Sequence, residues 1–349
     1  MKNDKVIVSV VLPVYNGEKY LREAIDSILN QTFRAFELIV IDNASTDSTR
    51  EIVRSYTDPR LVLVENETNR GLIYSLNRGL SVSRGKYIAR IDADDISLPG
   101  KLQRQYDYME AHPETGICGN SMESFNETTH YRQRIDFAVS DREIRAFAFF
   151  QSPFNHPSVL LRKAVLDQHQ LQYPELYYNA EDYGLWIEML KHTQGHNIPA
   201  VLTRYRKHEG SETARDDKKI ENKIKIVLQL HTRYLNQNGI FLDPDQMQLY
   251  TRFTDRSFPC ELNGKNQRAL KRVLESFLLQ LHEKQAAIYP AVVHYLSVNT
   301  FYKFFINRKF PRSFFLLKLF LRGSLFYLNR RTRSVFYNFG RYAAANPQG

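Results

Sequence analysis

Between residues 6 and 91 the chain alternates short apolar runs with amphipathic stretches, a rhythm that leaves few folds open to it. The runs, residues 6–12, 36–41, 61–64 and 87–91, are rich in Val, Ile and Leu and too short for buried helices, which suits strands covered on both faces. Leu21, Ala24, Ile25, Ile28 and Leu29 recur at helical spacing, Ser48-Thr-Arg-Glu51 reads as a capping box opening a second helix, and residues 72–80 read as a third. Repeated strand–helix pairs predict a mostly parallel, Rossmann-like α/β sheet with helices on both faces. Ligands of such sheets lie beyond the C-terminal strand ends. Pro13-Val-Tyr-Asn16, Asp42-Asn-Ala-Ser45 and Asp92-Ala-Asp-Asp95 all fall there, so the pattern alone predicts a site at these segments.

The acidic segment carries the most chemistry. In an extended segment residues two apart point the same way, so Asp92 and Asp94 share one side at the C-terminal mouth of the strand. They repel unless a cation lies between them. A hard divalent ion, Mg2+ or Mn2+, with substrate phosphates completing its shell, is the natural occupant. A solvated acidic turn is the alternative reading. Downstream, residues 117–121, 158–161 and 200–203 read as strands, and Glu181-Asp182 open a helix that turns Leu185, Met189 and Leu190 inward. From about residue 216 the pattern is helical. The expected organisation is an α/β domain over residues 1–215 and a helical domain over 216–349.

Cys118 and Cys260 offer neither a disulfide framework nor a CxxC metal site and fit a reducing cytosol. The N-terminus shows no signal region, and no run of roughly 18 uncharged apolar residues reads as a transmembrane helix. The net charge of +10 sits in the tail: eleven Lys and Arg residues and no Asp or Glu lie from Lys284 onward, leaving 37 basic against 38 acidic residues before it. Sixteen aromatics share that tail, Phe304, Phe305, Phe314, Phe336 and Phe339 among them. Lys318 and Arg322, four apart, share a helical face. Aromatics at the acyl boundary with cations on anionic headgroups describe an interfacial helix, so the tail is expected to dock on an anionic membrane surface. An aromatic core or a homodimer interface is the alternative. Nucleic acid is not expected, because no RNA- or DNA-binding motif accompanies the charge.

Taken in order, Pro13-Val-Tyr-Asn16, residues 27–33, residues 36–47, Asn69-Arg-Gly-Leu72, Asn77, Gly85-Lys-Tyr-Ile88, Asp92-Ala-Asp-Asp95, Pro99 and Glu181-Asp182 closely resemble the family 2 glycosyltransferases, which have the GT-A fold. Each motif is common alone; the ordered set, over roughly residues 6–210, is specific. The resemblance implies an inverting hexosyltransferase that uses a nucleotide-sugar donor, usually a UDP-sugar, with a divalent cation, Mn2+ or Mg2+. The Gln-x-x-Arg-Trp motif of processive members is absent, which implies one sugar added per encounter. With the tail, it implies a glycan or lipid-linked acceptor at the cytosolic membrane face. A polyprenyl-phosphate sugar synthase, a nucleotidyltransferase and a non-catalytic sugar-nucleotide or membrane-binding module are the rivals.

Residue by residue, the resemblance implies that Pro13 and Tyr15 line the base pocket, Tyr15 by stacking. Asp92 and Ala93 face the donor, Asp92 at the ribose or a metal-bound water. Asp94 binds the metal with Asp92 beside it, Asp95 orients the loop, and Asn77 and Gly71 shape the neighbouring helix. Arg70 reaches a phosphate or is a plain exposed loop residue. Asp182 is the general base for the acceptor hydroxyl, with Glu181 next to it. Many members carry two acids after the second strand, the second accepting the uracil ring N–H. Here they are Asp42 and Asn43, and an amide oxygen accepts without charge assistance. Asp42 remains as an acceptor or as a cap for the next helix. His156 touches acceptor or pyrophosphate, or packs in the core. Trp186 stacks on a sugar, or packs in its helix. His208 and Ser211 belong to a lid, or to a solvated loop.

Overall fold

The computed structural model of the chain describes residues 6–208, 220–255, 258–307, 309, 311 and 313–328. The chain forms two compact units, one of Met1–Val139 with Phe154–Ser211 and one of Ser140–Pro153 with Glu212–Gly349. The elements run β1 (Val8–Val14), α1 (Leu21–Leu29), β2 (Phe36–Asp42), α2 (Thr49–Arg54), β3 (Leu61–Glu65), α3 (Leu72–Val82), β4 (Tyr87–Arg90), β5 (Ile96–Ser97), α4 (Lys101–Ala111), β6 (Thr115–Asn126), β7 (Tyr131–Ile135), α5 (Asp141–Phe147, in the second unit), β8 (Leu160–Arg162), α6 (Lys163–Gln168), α7 (Glu181–Met189) and β9 (Gln194–Arg206).

The sheet order is β3-β2-β1-β4-β8-β6-β9-β5, with β7 paired to β6. β1 to β4 are parallel neighbours, with Val14 opposite Asp42 and Val11 opposite Arg90, so β1, β2 and β4 end on one edge. Every position of β1 and β2 is buried, as strands covered on both faces require. The expected α/β sheet is therefore present. Its other half is mixed: β8 runs antiparallel to β4 and β6, β9 parallel to β6, and β5 antiparallel to β9. β6 and β9 span 12 and 13 residues, where the apolar pattern showed only fragments. The reason is their buried polar content. Asn120, Ser121, Ser124 and Thr203 lie inside the sheet, and Asn120 Nδ2 donates to Thr203 Oγ1 at 3.1 Å.

The capping box expected at Ser48 does not form. Asp47 accepts from Thr49 N at 3.1 Å, and Glu18, reaching over from the β1 loop, accepts from Ser48 N at 3.0 Å. A complete capping box opens α5 instead, between Ser140 and Glu143.

The second unit is helical: α5 is joined by helices Ile220–Gln237, Pro244–Thr254, Gly264–Lys284, Tyr289–Ile306 and Phe314–Leu328. Phe149, Tyr234, Tyr250, Phe253 and Phe277 fill its core. The basic aromatic tail contributes to that core, because Tyr302, Lys303 and Phe304 are buried. Lys303 Nζ donates to the carbonyls of Arg252, Asp255 and Phe258 at 3.0, 2.8 and 2.6 Å, which satisfies a charge removed from water. Phe336, Phe339 and the other tail residues from 329 on lie outside the described residues. Among the described residues no helix is long and apolar enough to cross a membrane.

Gly85 shows how tightly β1 and β4 meet. Its N–H donates to the buried Ser9 Oγ at 2.9 Å, and Ser9 Oγ in turn donates to Glu37 Oε1 at 2.6 Å. A Cβ added at Gly85 would lie 2.6 Å from Ser9 N and 2.8 Å from Tyr87 O, backbone atoms that cannot step aside. Gly85→Ala should therefore lower stability by about 1–3 kcal/mol, read as a drop in the urea midpoint with unchanged slope.

Candidate active site

The loops after β1 and β2 are stapled together. Asn16 N donates to Ser45 Oγ at 2.9 Å, Asn16 Oδ1 accepts from Thr46 N at 2.8 Å, and Gly17 N donates to Thr49 Oγ1 at 2.9 Å. Asn16 and Ala44 take left-handed backbone, φ 51° and 61°, to make the approach. The result leaves the Tyr15 ring 46% exposed beside the strand ends, while Pro13 is buried within β1 opposite Ile41. Asp42 is fully buried and engaged inside the loop, accepting from Arg50 Nε at 2.6 Å and Ser45 N at 3.1 Å. Asn43 is also engaged: Oδ1 accepts from Asn66 Nδ2 and Arg70 N at 2.8 and 3.2 Å, and Nδ2 donates to Asn69 Oδ1 at 2.7 Å. The Arg70 guanidinium lies over the Tyr74 ring, 3.7 Å from its centroid.

β4 ends at Arg90, and the acidic segment is a turn in which Asp95 N donates to Asp92 O at 3.2 Å. The strand parity expected from sequence therefore does not operate. The turn itself gathers Asp92, Asp94 and Asp95, each with an oxygen within 4.8 Å of the others. Arg90 is buried at its base and forks onto both carboxylate oxygens of Asp92. Burial works against that charge, but the carboxylates of Asp92 and Asp95 hold the guanidinium protonated. Asp95 is fully buried. Its Oδ1 accepts from Arg206 N at 2.8 Å, and its Oδ2 has no partner. Burial and the charges of Asp94 and Asp92 push Asp95 well above the ordinary carboxyl range.

β9 closes over this turn. Arg206, buried, donates from Nε to Asp94 O at 2.8 Å and pairs with Glu23 and Glu127. Two residues on, His208 Nε2 lies 2.9 Å from Asp94 Oδ2, with its ring against Tyr20. Ser211 and the rest of the expected lid lie outside the described residues.

α7 brings the second acid pair in its first turn. Glu181 is buried, and burial with the adjacent Asp182 pushes it up to about 7. Asp182 is half-buried and accepts from Tyr183 N at 2.7 Å. His156 lies between, Nδ1 4.0 Å from Glu181 Oε1 and Nε2 3.0 Å from Tyr173 Oη. Burial and the nearby Arg90 keep its imidazole well below its usual range, hence neutral. Asn77 holds Tyr173 by a reciprocal pair, Nδ2 to Tyr173 O at 2.9 Å and Tyr173 N to Oδ1 at 2.8 Å. Trp186 is 0% exposed, edge-on to Phe154, His156 and Tyr173. Its ring presents no open face to a sugar, so the helix-core reading describes it.

Three site residues escaped the sequence reading. Arg90 was visible as a charge inside an apolar run. Lys101, the first residue of α4, is buried and donates from Nζ to Pro157 O at 2.6 Å; burial brings it down to about 7. Arg206 left no signal in the pattern. The donor set fits a divalent cation. Asp94 offers a carboxylate oxygen with the His208 imidazole beside it, and Asp95 Oδ2 is a buried oxygen without a partner. Asp92 fits less well, because Arg90 already takes both its oxygens.

Comparison with known proteins agrees with this geometry. The family model described as glycosyl transferase family 2 matches residues 9–169. An uncharacterized glycosyltransferase of Haemophilus influenzae is 33% identical over 246 residues, covering 67% of this chain and 76% of that protein. The Escherichia coli UDP-Glc:alpha-D-GlcNAc-diphosphoundecaprenol beta-1,3-glucosyltransferase WfaP is 27% identical over 226 residues, 61% of this chain and 82% of its own. The mannosyltransferase PcManGT of Pyrobaculum calidifontis, solved with GDP-Man and Mn2+, shares the fold at a TM-score of 0.54 and 18% identity, over 97% of this chain and 86% of that one.

Proposed function

The chain belongs to glycosyl transferase family 2, and on that premise we propose that it moves one sugar, with inversion, from a nucleotide sugar to a hydroxyl of a lipid-linked oligosaccharide or surface-glycan precursor. The observation that carries the reading is the meeting of two acid groups around Arg90, the Asp92–Asp95 turn and the Glu181–Asp182 pair. WfaP, which by its name transfers from UDP-Glc to a GlcNAc carried on diphosphoundecaprenol, supports the donor and acceptor classes. A divalent cation, Mn2+ or Mg2+, held by Asp94 with His208, would supply positive charge to the departing diphosphate.

The chain's own groups do the rest. Tyr15 offers an exposed ring for the base. Arg90 holds Asp92 in place through both carboxylate oxygens. Asp182 takes the proton from the acceptor hydroxyl as the glycosidic bond forms, and the sugar's bond to the diphosphate breaks on the opposite face. A phosphate acceptor is already ionised and needs no base, so the carboxyl pair favours a hydroxyl over the polyprenyl-phosphate reading. The exposed face of helix Phe314–Leu328 supports the membrane as the acceptor's location. Phe314, Lys318, Leu321 and Arg322 share one helical side, and all four are exposed.

Asp94→Ala should remove the Mn2+-dependent part of UDP affinity; calorimetry with and without Mn2+ checks this, and unchanged metal dependence refutes the role. Asp182→Asn should keep donor binding and lower turnover by roughly 100-fold or more. Burial and the adjacent Asp182 push Glu181 up to about 7, so below that value Glu181 holds a proton beside the base, and turnover should rise as pH passes through it and the pair becomes fully ionised. A turnover flat from pH 6 to 8, or a near-native Asp182→Asn, would move the base elsewhere. Reversing Lys318 and Arg322 to Glu should release the protein from anionic vesicles without altering UDP binding, as sedimentation would show.

A further inference from the structure

Behind Asn43 runs a chain of amides whose sense is set by groups that can only donate. The Arg78 guanidinium, which has no acceptor, donates to Asn66 Oδ1. That turns Asn66 Nδ2 outward, to Asn43 Oδ1 at 2.8 Å and Ser75 Oγ at 3.1 Å. Asn43 is thereby oriented as well, with Nδ2 on Asn69 Oδ1 at 2.7 Å. Two backbone N–H groups impose the same sense independently: Arg70 N donates to Asn43 Oδ1 at 3.2 Å, and Gly71 N to Asn69 Oδ1 at 3.0 Å. Reversing either Asn43 or Asn69 would set an N–H against an N–H that cannot turn.

Two consequences follow for a ligand. Asn43 Oδ1 already takes two donors, which is the capacity of an amide oxygen. The hydrogens left over are donors: one on Asn43 Nδ2 and those of the exposed Asn69 Nδ2. Asn43 N donates to Val14 O at 2.8 Å, so this edge adjoins the exposed Tyr15 ring.

We propose that Asn43 and Asn69 read the donor's base through a carbonyl oxygen, O4 of uracil or O6 of guanine, by donating N–H, and that Asn43 does not accept a ring N–H. The proposal rests on the reading above in which Tyr15 and Asn43 line the base pocket. It selects bases with a carbonyl edge, uracil or guanine, over adenine, which has an amino group and no carbonyl.

Calorimetry on the full chain with Mn2+ tests this with UDP, GDP, ADP, 4-thio-UDP, 6-thio-GDP and ribose 5-diphosphate, which has no base. Sulfur is a poorer acceptor than oxygen, so the thio analogue of the preferred nucleotide should bind about threefold or more weakly, and ADP should be the weakest nucleotide. Asn43→Asp discriminates by sign. A carboxylate there would meet Asn69 Oδ1 oxygen to oxygen and have no hydrogen to give, so affinity should fall by about threefold or more. Unchanged or tighter binding by Asn43→Asp, or a thio analogue equal to its parent, overturns the proposal while leaving the base pocket intact. If ribose 5-diphosphate binds as tightly as UDP and GDP, the base-pocket reading fails, and the proposal with it. The thio comparison uses the native protein and does not depend on the variant folding.

Discussion

One buried guanidinium makes an acidic site tenable at the end of β4. Arg90 is 3% exposed, and a charge so far from water persists only where opposite charges surround it. Asp92 takes the fork directly, while Asp95, Glu181 and Tyr173 lie within its field. Without that charge, Asp92 would lose its paired cation, and Asp95 and Glu181 the guanidinium that opposes repulsion from the acids beside them in a region of low dielectric. Burial, with the same charge beside it, keeps His156 neutral. Arg90 opposes the upward shift of Glu181, but burial and Asp182 outweigh it, which leaves that acid poised near neutrality.

Polar clamps help to assemble the groups around Arg90. α4 presents a buried polar face to the turn that carries His156: Lys101 holds the Pro157 carbonyl, and Gln105 holds that of Ser158 at 2.7 Å. From the opposite side Arg206 holds the Asp94 carbonyl. The length of β9 has a purpose in this light. Its 13 residues carry the chain across the sheet, so that Arg206 and His208 return over a turn more than a hundred residues earlier in sequence. Clamps of this kind hold catalytic groups to a narrow geometry because each satisfies a buried polar atom that would otherwise be costly.

The parallel half of the sheet was legible because β1, β2 and β4 are apolar at nearly every position and are separated by helices of regular period. β6 and β9 were legible only as the fragments 117–121 and 200–203, because their buried Asn120, Ser121, Ser124 and Thr203 break the apolar signal. The acidic segment shows a different limit. Its three carboxylates do meet, yet by a turn, since the strand stops at Arg90. Spacing alone revealed which groups gather but not the backbone that gathers them. At Ser48 a correct capping pattern lost to a longer-range partner: Glu18, 30 residues away, took the N–H that the cap would have served. Asn43 could be seen to differ from an acid, but not that Asn66 and Arg70 had already filled its oxygen.

The C-terminal unit carries that limit furthest. Lys303 and Lys318 sit in the same basic, aromatic composition and have opposite fates. Lys303 lies inside, its ammonium divided among the carbonyls of Arg252, Asp255 and Phe258, and its neighbours Tyr302 and Phe304 are buried with it. Lys318 is exposed, four residues from an 83% exposed Phe314 and four from an exposed Arg322. Composition cannot separate these cases. The difference lies in what each helical face meets. Leu316 and Leu319 turn inward from the helix that sends Phe314, Lys318, Leu321 and Arg322 outward. A core lysine needs carbonyls at the right height, and Tyr289–Ile306 finds them at the end of Pro244–Thr254 and in the segment just after it. A face mixing Phe and Leu with Lys and Arg is poorly suited to water alone and well suited to an anionic interface. Among the described residues the tail is thus core and surface at once, with Lys303 inside and Phe314, Lys318, Leu321 and Arg322 outside.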